Sequence, residues 1–125
     1  MIWATLLLFI PKYRRTGLGM WLALAMGLVI CNMILKPLVG RMRPYDFQEL
    51  YNGVTIKLLI DGLSDNSFPS GHTIAAFEAC VALLCGNKKL GVPAVIMAFL
   101  VAFSRLYLYV HYPTDVIASI VLGSI

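Results

Sequence analysis

The chain has 125 residues, 60% of them apolar and 13% charged, with a formal net charge of +4. Soluble domains carry about a quarter charged residues, so this composition points to a single membrane-embedded domain. It argues against nucleic-acid binding, which needs a basic face on a soluble fold. It also argues against a disulfide framework or a zinc module, because Cys31, Cys80 and Cys85 fall in apolar runs and form no CxxC.

Met1 to Ile10 is apolar but lacks the basic start and small-residue cleavage site of a secretory signal. About ten residues cannot cross a bilayer that needs roughly 20, so the expectation is the tail of a span that begins outside the chain. Gly17–Leu35 carries no charge and, at about 29 Å as a helix, is long enough to span; Lys36 and Pro37 are expected to end it. From Tyr45 to Phe68 come Asn-Gly, Asp61-Gly62 and Ser-Asp-Asn, all turn chemistry. Within that stretch, residues 54–60 fit either a short interfacial helix or an irregular lid.

Gly71–Gly86 is a shorter apolar run containing His72 and Glu78. Leu90–Val110 is apolar apart from Arg105, with Pro93 expected in its first turn, where a missing N–H is tolerated. Pro113–Ile125 begins another helix, which the chain leaves too short to cross. A lipid-exposed backbone must satisfy its own hydrogen bonds, so the predicted fold class is all-α: a multi-span transmembrane helical bundle.

The links at Pro11–Thr16 and Asn87–Lys89 are short and basic, which the positive-inside rule places in the cytoplasm. The parity of the spans then puts Val39–Pro69 and the link around His111 together on the extracytoplasmic side. The charge tally alone does not decide this, since five Lys and Arg fall on each side.

Three clusters carry chemistry. Lys36 with Arg43-Pro44 follows the long span; alone, Lys36 reads as a side chain snorkelling to the headgroups. Pro69-Ser70-Gly71-His72 opens a helix; alone, Ser70 reads as an N-cap. Ser104-Arg105, His111 and Asp115 straddle a helix end, and ionisable groups at membrane depth are costly. Asp115, in a first helical turn, is also where a helix dipole favours a carboxylate.

If the spans alternate, all three clusters converge on one membrane face. Helix N-termini suit phosphate, and Arg43 and Arg105 can make forked contacts to phosphoryl oxygens while Lys36 adds a point charge. One imidazole can attack phosphorus while the other protonates the departing oxygen. A carboxylate on the far nitrogen of the attacking His fixes its tautomer.

These residues, Lys36-(six)-Arg43-Pro44, Pro69-Ser70-Gly71-His72 and Ser104-Arg105-(five)-His111-(three)-Asp115, match at eleven positions in order the signature of a known family. From about Gly17 to its end, the chain resembles the type 2 phosphatidic acid phosphatase superfamily, or lipid phosphate phosphatases, and among its members those similar to undecaprenyl diphosphatases. The resemblance implies that His111 is the nucleophile of a phosphohistidine, Asp115 its orienting partner and His72 the general acid. It implies a phosphate cradle of Lys36, Arg43, Ser70, Gly71 and Arg105, with no metal and no cofactor. Similar membrane members have six spans, so the first span and parts of the second and sixth are expected to lie outside these residues.

The expected activity is hydrolysis of a lipid phosphate or pyrophosphate, with a slight preference for polyprenyl pyrophosphate over phosphatidate or phosphatidylglycerophosphate. Two other readings stand beside it: a zinc hydrolase using His72, His111 and Asp115, and a non-catalytic protein that binds or transports lipid phosphate. Glu78 lies six residues beyond His72, on a different helical face, and is expected to point into the bundle without a catalytic role. Trp3, Trp21, Tyr107 and Tyr109 are expected to pack or to anchor at the interface.

Overall fold

The computed structural model describes residues 2–60 and 64–125, without the side chains of Ile2 and Trp3. The Asp61-Gly62 turn and the expected anchoring by Trp3 therefore lie outside the described residues. The described residues form the helices α1 (Ile2–Phe9), α2 (Arg14–Val29), a π-helical stretch (Ile30–Leu35), α3 (Lys36–Val39), α4 (Pro44–Asn52), α5 (Gly71–Gly86), α6 (Lys88–Tyr107) and α7 (Pro113–Ser124). The fold is an all-α transmembrane bundle. Among the described residues, two helical segments are long and apolar enough to cross a membrane, one within Pro11–Asn52 and the other α6.

α5 sits at the centre: apart from His72, Thr73 and Glu78 it is apolar around its circumference, as a helix packed on several sides must be. It packs against α2, α6 and α7, while α1 lies against α2. On one side Phe77 and Cys80 meet Ala98 and Ala102 of α6 and Val116 of α7. On the other, Ala75, Ala79 and Leu83 meet Met20 and Leu24 of α2 and Ala4 of α1. Phe77 also stacks edge-on against Phe99, with ring centroids 5.2 Å apart. The outward faces stay apolar, with Leu22, Met26 and Met33 on one helix and Ile96, Leu100 and Phe103 on another all exposed. Such a continuous apolar surface suits lipid contact.

Lys36 and Pro37 do not end the long helix, contrary to the sequence expectation. The backbone passes through them to Val39 and stops at Gly40, whose left-handed φ of 58° suits the residue after a helix. The π stretch makes this passage possible. The Lys36 N–H donates to the Cys31 carbonyl, five residues back, so the bonding pattern has already shifted where Pro37 removes a donor. α6 starts at Lys88, two residues early, because the Asn87 side chain caps it by accepting from the Lys89 N–H at 2.9 Å. Pro93 therefore lies inside the helix, beyond its first turn.

The expected run of turns from Tyr45 to Phe68 is also corrected. Its first part is helical, because Pro44 is preset for a first helical position after Arg43, and Asp46 complements the dipole there. Residues 54–60 carry no regular helix.

The two basic links lie at one end of the bundle, where the Asn87 amide donates to the Tyr13 hydroxyl at 3.3 Å. The three motifs lie at the other end. Close helix approach depends on small residues. A Cβ on Gly123 of α7 would sit 2.6 Å from the Ile74 carbonyl oxygen of α5, and backbone cannot yield as a side chain does. Gly123→Ala is therefore expected to lower stability by about 1–3 kcal/mol, as overpacking does. Gly19→Ala, whose Cβ meets nothing within 4 Å, is expected to hold or raise it. Thermal unfolding in detergent checks the pair; an unchanged midpoint for Gly123→Ala would contradict the close α5–α7 packing.

Candidate active site

Arg43 is 2% exposed and acts as a clamp. Its Nε donates to the Asp65 carbonyl at 2.9 Å, Nη1 to the Val110 carbonyl at 2.8 Å and Nη2 to Asp65 Oδ1 at 2.5 Å. Nη1 also stands 3.5 Å from Nε2 of His111. One guanidinium thus ties together the start of α4, the loop before α5 and the link between α6 and α7. That link bends at Tyr109, which takes a left-handed φ of 57° and leaves Val110 and His111 buried. Lys36 reaches the same place from the start of α3 and pairs with Asp65.

Asp115 is fully buried in the first turn of α7. It accepts from Arg41 Nη1 at 2.6 Å, from the Ser67 hydroxyl at 2.5 Å and from the Tyr112 N–H at 3.0 Å. Its Oδ2 lies 3.9 Å from Nδ1 of His111, an electrostatic contact but too long for a hydrogen bond. Nδ1 is buried with no other partner.

His111, His72, Lys36, Arg43 and Gly71 line one cavity of about 400 Å³. Its wall continues down α2 and α5 through Leu24, Leu28 and Ile74, with Glu78 facing it against Gly27. Glu78 thus points into the bundle as expected, with its Oε2 buried and unpartnered. Ser70 is brought near the cavity but does not line it. Its N–H donates to Ser119 Oγ at 2.8 Å and its hydroxyl accepts from Thr73 at 3.0 Å, which fastens α5 to α7. Arg105 does not line the cavity either; its Nε donates to Ser104 Oγ at 3.3 Å, while its charge still acts on His72. His72 stands exposed at the start of α5. Among the described residues no three His, Cys, Asp or Glu side chains are grouped to hold a metal ion. The zinc set considered above therefore has no geometric support.

Four partners escape the sequence motifs: Arg41, Asp65, Ser67 and Ser119. Asp65 meets two cations at once. Partial burial pushes its carboxyl up, but hydrogen bonds and charges from Lys36 and Arg43 outweigh that and hold it down at about 2. Arg41, two residues before Arg43, also covers the Tyr112 ring at 4.1 Å.

A helical membrane bundle with cations and imidazoles gathered at the mouth of a part-apolar cavity defines the class. The chain belongs to the PAP2 superfamily, whose model matches residues 17–125. It is 44% identical over 99 residues to the undecaprenyl-diphosphatase BcrC of Bacillus subtilis, covering 79% of this chain and 48% of that protein. It is 32% identical over 120 residues to an undecaprenyl-diphosphatase of Sulfolobus acidocaldarius, covering 95% and 55%. Among solved structures it resembles a transmembrane PAP2-type phosphatidylglycerolphosphate phosphatase of Bacillus subtilis. The TM-score is 0.72 at 30% identity, over 98% of this chain and 60% of that one. The chain spans about half the length of the curated relatives it matches.

The Asp65 ion pairs carry a testable sign. The folded carboxyl lies below its ordinary 3.8, so the pairs stabilise the fold above about pH 4 and are lost as pH falls toward about 2. Wild type is expected to exceed Asp65→Asn in thermal midpoint by a constant margin from about pH 5 to 7. That margin should close below about pH 4. A margin that survives full acidification would assign Asp65 some role other than ion pairing.

Proposed function

We propose that this chain carries the catalytic core of an integral-membrane phosphatase that hydrolyses lipid phosphates through a phosphohistidine on His111, without a metal ion. One observation supports this above the others: two imidazoles, Lys36 and Arg43 line a cavity whose remaining wall is largely apolar. An amphiphile with a phosphate head and a hydrocarbon tail matches that division.

The tautomer of His111 follows from its neighbours. A guanidinium has no acceptor, so the Nε2 facing Arg43 presents its lone pair there. The proton then sits on Nδ1, toward Asp115. Nε2 attacks phosphorus, the bond to the leaving oxygen breaks, and that oxygen takes a proton from His72. Water then attacks the phosphohistidine while His72 accepts its proton, releasing inorganic phosphate and freeing Nε2. Lys36, Arg43 and the N–H groups that open α5 at Gly71 carry the phosphoryl oxygens through both steps. Arg105 adds charge, and Ser70 acts by holding α5 in place.

The substrate we favour is a polyprenyl pyrophosphate such as undecaprenyl pyrophosphate, in line with the relatives named undecaprenyl-diphosphatase. Phosphatidate or phosphatidylglycerophosphate is a second reading. It is favoured by Asn32 and Glu78 on the cavity wall, polar groups that the ester carbonyls of a glycerolipid or the headgroup hydroxyl of phosphatidylglycerophosphate can satisfy and a prenyl chain cannot. The grouping of the basic links at the opposite end supports a multi-pass protein with the site outside the cytoplasm.

The purified protein is expected to release phosphate from these lipids in excess EDTA. The ratio of kcat/KM values for the prenyl and glycerol lipids identifies the substrate. His111→Ala and His72→Ala are each expected to lose at least about 10³-fold, because groups acting as a unit fail together. Undiminished turnover in His111→Ala removes the mechanism.

A further inference from the structure

We propose that Asp65 is a displaceable counter-anion: its carboxylate occupies the phosphate position between Lys36 and Arg43 and leaves when phosphate arrives. This rests on the reading of Lys36 and Arg43 as phosphate ligands.

The geometry carries it. One Asp65 oxygen pairs with Lys36 and the other with Arg43 Nη2, as two oxygens of a bound phosphate would. The carboxylate lines the cavity that also contains His111 and His72. Its partners are secluded, with Lys36 at 12% and Arg43 at 2% side-chain exposure, while Asp65 itself is 48% exposed. The carboxylate can therefore turn outward into water while the cations stay.

The backbone does not need to move for this. Asn66 donates to the Lys36 carbonyl at 3.0 Å, and the Ser67 N–H donates to the Arg41 carbonyl at 2.7 Å. Both bonds anchor the loop independently of the Asp65 side chain. Arg43 also keeps its bonds to the Asp65 and Val110 carbonyls when the carboxylate swings away.

The exchange is favourable on charge. Lys36 and Arg43 bring two positive charges and the carboxylate returns one negative. A phosphate dianion returns two and offers more acceptor oxygens. A half-exposed ion pair is weak enough to be displaced. The resident carboxylate also meets a need that arises between turnovers. Lys36 and Arg43 in a low-dielectric cavity repel one another without an anion, and they would hold product phosphate tightly. Asp65 neutralises the empty site and competes the product off, lowering apparent affinity by the fraction of time it occupies the position.

Equilibrium binding of radiolabelled inorganic phosphate to the purified full-length protein, with dimethyl phosphate as competitor, tests this. Asp65→Asn is expected to bind phosphate about tenfold tighter than wild type. It should bind the monoanionic dimethyl phosphate tighter by the same factor, because both ligands displace the same group. Asp65→Glu, which restores the charge, is expected to return phosphate affinity to within about threefold of wild type. Equal or weaker phosphate binding by Asp65→Asn overturns the proposal. So does a clearly larger gain for the dianion, which would mean that the carboxylate stays beside the ligand. Binding is read without turnover, so the two readings fail separately. Protein that binds phosphate in this pattern but hydrolyses nothing sinks the phosphatase and keeps the counter-anion. Hydrolysis with unaltered phosphate affinity in Asp65→Asn does the reverse.

Discussion

The architecture of the site depends on one buried guanidinium. A charged group at 2% exposure must have its donors satisfied, and Arg43 finds acceptors in the Asp65 and Val110 carbonyls and the Asp65 carboxylate. Those acceptors come from two segments far apart in sequence, and His111 follows Val110 directly. Satisfying Arg43 therefore positions His111 relative to α4 and to the loop that leads into Ser70-Gly71-His72. Removing the guanidinium would orphan two carbonyls and free the segments that carry both imidazoles.

Lipid as solvent shapes the rest. With little hydrophobic gain available from helix association, close packing and hydrogen bonds hold the bundle, and α5 serves as the shared face for α2, α6 and α7. Thr73 donates to the Ser70 hydroxyl, the Ser70 N–H donates to Ser119 Oγ across to α7, and that hydroxyl donates to the Asp115 carbonyl at 2.6 Å. The same α5–α7 contact thus positions the start of α5, where His72 stands, and the start of α7, where Asp115 lies. Packing and chemistry share one set of residues at this end of the bundle.

The sequence made the helices and the motifs legible where local rules dominate. Gly71–Gly86 stands between a proline-led cap and Asn87, and Pro113 opens α7 as an N-terminal proline should. Prediction failed where tertiary bonding overrides local signals. Lys36-Pro37 looked like a helix end, yet a π turn carries the chain past it, and periodicity has no signature for that shift. Ser70 is a different case: its place in a motif implies a phosphate contact, and its N–H donates to Ser119 while its hydroxyl accepts from Thr73. Asp65, Ser67 and Arg41 lie in stretches that read as loop, and only long-range pairing shows that they hold Arg43, Lys36 and Asp115. Partners of charged groups across 22 to 74 residues of chain are not encoded in spacing.

Membership of the PAP2 superfamily fixes the kind of fold; the roles of His111 and His72 are proposed, and trapping the covalent intermediate tests them most directly. The full-length protein is mixed with a radiolabelled aryl phosphate, whose leaving group needs no proton from His72. It is then quenched in alkali, where a phosphohistidine persists, and the label on the protein is counted. Label that is transient in wild type, accumulates in His72→Ala and is absent from His111→Ala is the predicted result. Label retained on His111→Ala, or none in His72→Ala while product still forms, would contradict it.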